Sequence, residues 1–445
     1  MNLPNYFLAD LPVEASLTPT LITDACRQIR RNRQQYLLPR STSSIIQILD
    51  SLGREWLQVD SPFRVHALEQ GPGKTGFTER TLAHGLDSFF TQLTAENLEA
   101  LVVQELGNVN RLDGFYEGAF ARGPQLLLQI GAGSIPNPVL LDMALGLLTK
   151  SAQFIKCASG QSFIPRLFAH SIYEADSKLG ACIEIAEWKG GTDILDSAAF
   201  AEADCVSATG SDETLAAIRN KLPLKTRFLG YGTRVSFGYI TREALARDTK
   251  GLAKLAAQDV AAWDQQGCLS PHVIYVEAGG KATPDLFAQR LSEELDALEE
   301  HQPRAQLTTA EAAAISTRRS FYEVRAAHSP DTQMWASSGS TAWTVIFEGE
   351  PQFQMSCLNR FVYVKPVADL TQTLQAAEMV RDKVSSVGLA ATAAQTSDLA
   401  AQLAHWGITR ICPLGEMQRP PLKWRHDGRS PLADLITWTT LESQP

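Results

Sequence analysis

QLLLQIGAGSIPNPVLLDMALGLLTKSAQFIK, residues 125–156, passes from an apolar run to a glycine turn, through a helical period and into a second apolar run. The pattern predicts a strand over Gln125–Ile130, a helix over Pro138–Thr149 and a strand over Gln153–Lys156. That is a βαβ unit, whose strands lie parallel in one sheet. Alternation continues outward with a helix at Gln161–Lys178 and a strand at Ala181–Glu187. A second series follows: Val273–Glu277, helices Pro284–His301 and Ala310–Ala327, Trp343–Glu348, Phe361–Val367, a helix at Leu370–Val387 and a strand at Gly388–Ala394. Two α/β domains are the simplest division. Ahead of them, Ile22–Leu37 and Thr94–Leu106 carry amphipathic helical periods.

The glycines between strand and helix stand where backbone N–H groups and a helix N-terminus can face a phosphate. Gly131 and Gly133 begin a dinucleotide fingerprint, but Pro136 occupies its third glycine position and no acidic residue follows about twenty positions on. Nucleotide binding and a plain strand-to-helix turn both remain open on this segment alone. Gly73-Lys74-Thr75 resembles the end of a phosphate loop, yet Leu68 stands where the first glycine is required. A surface turn is the simpler reading there.

Composition removes several classes of function. Lys and Arg total 40 against 49 Asp and Glu in 445 residues, a net charge of −9, so a nucleic-acid partner is not expected. Hydrophobic residues at 44% and charged residues at 20% fit a globular chain. The apolar stretch Val139–Leu148 is broken by Asp142 and falls short of the roughly 18 residues of a membrane span. Asp10 and Glu14 near the start argue against a signal peptide, so a cytoplasmic protein is expected. The seven cysteines are widely spaced with no CxxC, which predicts reduced thiols and no metal site. The stretch RPPLKWRHDGR, Arg419–Arg429, should pack as a loop on a partner surface or stay mobile.

One thiol is placed for chemistry. Cys268 lies in DVAAWDQQGCLSPHVIYVE, residues 259–277, between a helical run and a β-prone run, preceded by Gln265, Gln266 and Gly267. Those are poor core neighbours, and a thiol just before a strand lies where backbone amides can reach its substrate. A nucleophile activated as thiolate by its position is the expectation, with His272 structural.

This segment closely resembles the cysteine segment of the LuxC-type long-chain fatty acyl-CoA (acyl-protein thioester) reductases, a branch of the aldehyde dehydrogenase superfamily. KTGFTERTL (74–82), residues 129–159, ATGSDETLAAI (208–218), RFLGYGTRVSFGYI (227–240) and residues 410–432 resemble further segments of that family. The resemblance implies an aldehyde dehydrogenase-like α/β fold: a mostly helical segment over 1–105, a Rossmann-like cofactor domain over 106–240, a catalytic domain over 241–415, and a segment at 416–445 packing back on the cofactor domain. It implies that Cys268 attacks an acyl thioester and that a nicotinamide then delivers hydride to release aldehyde. Gln266 and Ser134 are the other implied catalytic positions, Ser134 standing where the superfamily places its oxyanion donor. Gly131, Gly133, Pro136, Lys156, Ser159, Thr209, Gly210, Ser211 and Gly232 are the implied cofactor contacts, with Lys156 at the ribose and Ser211 at the pyrophosphate.

Two substitutions refine this expectation. Ser159 stands where NAD-preferring relatives commonly carry a Glu, and a neutral residue favours NADPH. The stretch Phe228–Gly232 lacks the carboxylate with which oxidising relatives activate water, so a thioacyl-enzyme should survive to be reduced. A CoA-acylating aldehyde dehydrogenase, or a non-redox subunit acylated on Cys268, is the alternative. The resemblance also implies an acyl-activating synthetase as partner and self-association into homo-oligomers.

Overall fold

The computed structural model describes residues 3–12 and 14–442, and its strands form three sheets. β1 (Ala119–Arg122) pairs antiparallel with β14 (Thr437–Thr440) in a two-stranded ribbon. β2 (Leu126–Ile130), β3 (Ala152–Cys157), β4 (Ile183–Glu187), β5 (Cys205–Thr209) and β6 (Arg227–Tyr231) form a parallel sheet in the order β4-β3-β2-β5-β6. β2 and β3 are apolar without alternation because helices cover both faces of this sheet. Gly131 after β2 lets the helix Asn137–Leu148 approach, since a Cβ there would lie 2.6 Å from Val139.

The larger sheet holds β7 (Val235–Ile240), β8 (Pro271–Glu277), β9 (Thr332–Ala336), β10 (Thr344–Glu348), β11 (Phe361–Val367), β12 (Val384–Ala390) and β13 (Ile411–Pro413). Its order is β13-β12-β7-β8-β11-β10-β9, parallel except for β9. The chain crosses between sheets at residues 232–234, so β7 sits in the second sheet, ahead of the division expected at 240. The expected helix Leu370–Val387 stops at Ala376, and β12 occupies its end. Val384, Val387 and Leu389 are buried between β7 and β13, and that burial overrides a helical spacing. Gly73-Lys74-Thr75 closes the helix Pro62–Thr75 rather than a loop before a strand, and Gly76 caps it in left-handed conformation.

Five N-terminal helices between Pro19 and Leu106 pack against the first sheet. Trp56, Phe90 and Leu101 share one core with Leu140 and Phe168, and Leu422, Leu432 and Ile436 of the C-terminal segment join it. That segment crosses back as a strap. Asp259 accepts from the Gly415 and Met417 N–H groups at 2.6 and 2.9 Å, and Asp427 accepts from Arg234 at 2.8 Å. Glu105 accepts from Leu432 and Ala433 N–H, and Arg227 donates to the Leu435 and Ile436 carbonyls. Arg419–Arg429 thus begins a stretch held against its own chain.

The approach to Cys268 is built from two strained turns. Trp263, Asp264 and Gln265 have φ of 50°, 49° and 66°, and Leu358, Asn359 and Arg360 have 58°, 56° and 64°. Left-handed backbone at non-glycine residues costs about 1–3 kcal/mol each and persists only where contacts over-determine it. Here Arg360 donates to Asp264 Oδ1 from Nε at 3.0 Å and Nη2 at 2.7 Å, Gln266 Nε2 donates to Asn359 Oδ1 at 2.8 Å, and Gln265 Oε1 accepts from Phe361 N–H at 2.8 Å. Arg360 and Asp264 are both buried. Replacing Arg360 by Met should cost about 3–5 kcal/mol by leaving Asp264 uncompensated. Urea unfolding reads this as a lower midpoint at unchanged slope, and Asp264→Asn added to Arg360→Met should recover part of the loss.

Candidate active site

Cys268 is the only exposed cysteine among the described residues; Cys357 is partly covered and the other five are buried. Its carbonyl accepts from Ser236 Oγ at 2.8 Å, which ties the loop to β7. The Gln418 side chain of the strap donates to Ser270 Oγ at 2.6 Å and packs on Gly267, where a Cβ would meet it at 3.0 Å. Gly85 serves the same fit from the other side, since a Cβ there would lie 1.9 Å from the Trp263 ring.

Beside Cys268 opens a largely apolar tunnel, a cavity of about 160 Å³ that opens to solvent. Its walls are Phe89 from the helix Glu79–Phe90, Leu141 and Leu145 from the helix Asn137–Leu148, Leu229 and Tyr231 from β6, and Pro421 and Trp424 from the strap. His426 stacks on Tyr231 at 4.7 Å between ring centres, and burial holds its pKa below the usual imidazole value. The two β6 residues facing the tunnel, Leu229 and Tyr231, bear no carboxylate.

The thiol is not pre-activated. Protein packed around the sulfur pushes it up to about 11, and the Asp427 carboxylate adds to this; its own backbone N–H, then Arg234 and Arg410, pull the other way. These surroundings favour the thiol over the thiolate expected from position alone. His272 is buried and pulled down to about 4, and its Nδ1 accepts from Ser356 N–H at 3.1 Å, a structural arrangement.

The other expected residues separate into three places. Lys156, at the end of β3, lies in a second cleft with Gly190, Gly191, Asp196 and Thr214, between the helices Asp193–Glu202 and Asp212–Lys221. Burial lowers its pKa, and Asp196 opposes that. Thr209 reaches the tunnel, Ser211 caps the helix Asp212–Lys221, and Gly210 donates its N–H to Tyr231 O at 3.1 Å. At Gly232 a Cβ would lie 2.4 Å from Asp212 Oδ1, so that glycine serves packing. Ser159 is exposed on the turn after β3, where Glu187 accepts from the Gly160 and Ser162 N–H groups at 2.6 and 3.3 Å. Gln266 is engaged with Asn359 and does not line the tunnel.

Ser134, with Gly133, is exposed and also outside the tunnel lining; Pro136 caps the helix that follows. Asn137 is what reaches the tunnel. Its Nδ2 donates to Gly85 O at 2.8 Å, and its Oδ1 is buried without a partner. The sequence reading did not single out Asn137, because the stretch from Asn137 onward reads as core helix.

With this geometry in hand, the comparisons are specific. The family described as Acyl-CoA reductase (LuxC) matches residues 37–438. The chain belongs to that family. It is 24% identical over 417 residues to a long-chain acyl-protein thioester reductase of Aliivibrio fischeri, covering 90% of this chain and 82% of that one. It is 25% identical over 411 residues to the protein of the same name in Photorhabdus luminescens, with the same coverage of 90% and 82%. Among solved structures, an NAD-dependent benzaldehyde dehydrogenase from Corynebacterium glutamicum superposes with TM-score 0.68 at 14% identity, over 98% of this chain and 94% of that one. A proline utilization A protein of Bradyrhizobium japonicum gives 0.72 at 13% identity, over 96% of this chain and 45% of that one. The LuxC chain described here thus has the aldehyde dehydrogenase fold, and no helix among its described residues is long and apolar enough to cross a membrane.

Iodoacetamide should modify native protein first at Cys268, with a rate that rises about tenfold per pH unit through neutrality. Asp427→Asn should move that profile to lower pH. Peptide mapping across a pH series reads both, and a rate independent of pH would mean a preformed thiolate.

Proposed function

We propose that this protein reduces an acyl thioester to an aldehyde through a thioacyl-enzyme on Cys268, with NADPH as reductant. The observation that carries the reading is one exposed thiol at an apolar tunnel in which β6 offers no carboxylate to activate water. A thioacyl-enzyme there lacks a carboxylate on β6 that would activate water for its hydrolysis.

Cys268 Sγ attacks the thioester carbonyl and the thiol of the donor leaves with the proton. The oxyanion would take the second Nδ2–H of Asn137, whose first is donated to Gly85 O, and the Cys268 N–H, while the apolar walls hold the chain and exclude water. The cleft at Lys156 fits a nucleotide, with Gly190 and Gly191 leaving room beside the ammonium. A nicotinamide dinucleotide supplies the hydride that converts the thioester carbonyl to aldehyde. Neutral Ser159 together with Lys156 favours a phosphorylated ribose, while Glu187 is occupied by loop N–H groups. The donor is an acyl-CoA or an acylated protein, since relatives bear the name acyl-protein thioester reductase; a synthetase that loads Cys268 fits the second source. Phe115, Trp438 and Leu441 are exposed at the β1–β14 ribbon and support self-association there, and the setting proposed is cytoplasmic.

Purified protein with acyl-CoAs of graded length and NADPH or NADH should oxidise cofactor and yield trapped aldehyde, faster with NADPH. Cys268→Ala should abolish aldehyde, and substantial residual turnover would overturn the assignment. An acyl adduct on the wild type without cofactor consumption would instead support the carrier reading. Asn137→Ala should lower kcat by about 10²–10³-fold while Ser134→Ala leaves kcat within about twofold.

A further inference from the structure

The tunnel has one polar spot that the proposed chemistry does not use. Gln129 points into it from the middle of β2 and is 2% exposed. Its Nε2 donates to the Asp142 backbone carbonyl at 2.8 Å, which fixes the amide, and its Oε1 is buried with no hydrogen-bond partner. Asp142 lies on the same wall, in the one charged position of the apolar helix Asn137–Leu148. No described residue donates to its carboxyl, and burial alone pushes that group up to about 7. Ser207, paired with Gln129 across β2 and β5, and Tyr231 bring two hydroxyl-bearing side chains to the same stretch of wall.

A plain alkyl chain in this tunnel would leave Gln129 Oε1 without a partner and would also seal the Asp142 carboxyl away from water. A hydroxyl on the chain changes that. It donates its one proton to Gln129 Oε1 and accepts from the protonated Asp142 carboxyl. A neutral hydroxyl also enters an apolar tunnel at lower desolvation cost than an ammonium, which sets a hydroxylated chain above an aminated one. Asp142 stands about 7.5 Å of helix axis beyond Asn137 at the oxyanion end. The substituent therefore sits several carbons from the reacting carbonyl.

We propose that the tunnel selects acyl thioesters whose chain carries a hydroxyl group, held between Gln129 Oε1 and the Asp142 carboxyl. This rests on the reading of the tunnel as the acyl site of a reductase. Gln129 and Asp142 act on which chain is taken, while Cys268 carries the reaction.

The test measures kcat/KM for aldehyde formation from octanoyl-CoA and from its hydroxyoctanoyl-CoA isomers hydroxylated from the middle of the chain to its end. Wild type should prefer at least one isomer by about tenfold or more. Asp142→Leu and Gln129→Leu should each abolish or reverse that preference, and Asp142→Asn, which still accepts and donates, should keep it. The preference is a ratio within each variant, so a reduced fraction of folded protein does not move it. Aldehyde from octanoyl-CoA at rates equal to or above every hydroxylated isomer overturns this inference and leaves the reductase reading standing. A preference that survives both leucine variants also overturns it. Aldehyde from none of the thioesters overturns the reductase reading and this inference together.

Discussion

The position of Cys268 depends on the buried pair of Asp264 and Arg360. Each residue sits in a three-residue left-handed stretch, and neither stretch contains a glycine to relieve the conformation. Two guanidinium N–H groups converging on Asp264 Oδ1 give this pair a fixed geometry as well as charge compensation. Arg360 extends the tie to Glu299 and the Gln302 carbonyl, so the helix Pro284–His301 is fastened to the same knot. The backbone before Cys268 is thus held by side chains from three separate segments, and the strain is stored in the turn that leads to its thiol.

Much of this was legible in the chain. The run Gln125–Lys156 gave its strand, helix and strand because each is apolar on the faces it buries, and Cys268 stood out because glutamines and a glycine precede it. What escaped detection has physical reasons. β12 was read partly as helix because Val384 and Val387, three residues apart, fit a helical spacing as well as a doubly buried strand. β1, β13 and β14 are three or four residues long, too short for a periodicity to form. Asn137 and Asp142 were hidden for a different reason: the helix Asn137–Leu148 reads as core, and only the folded tunnel separates its cavity-facing side from its buried one.

The two faces of the first sheet divide the labour. One carries the cleft with Lys156 between the helices Asp193–Glu202 and Asp212–Lys221; the other faces the tunnel through Leu127, Gln129, Ser207, Leu229 and Tyr231. Alternation along β2 explains the arrangement, since Gln129 and Ile130 point to opposite sides and each borders a different cleft. A substitution on one strand can therefore change one cleft while leaving the other's lining intact.

The strap has a consequence for how the protein is made. Pro421, Trp424, His426 and Leu435 form tunnel wall, and β14 pairs with β1 across more than three hundred intervening residues. During synthesis both sheets can be complete while Phe89, Leu141 and Leu229 still face an open trough. Until the strap emerges from the ribosome, the nascent chain carries an unroofed apolar groove, the kind of surface that invites chaperone binding or association with a neighbouring chain. Closure of the groove and assembly of the reactive centre are then one late event in the life of the molecule.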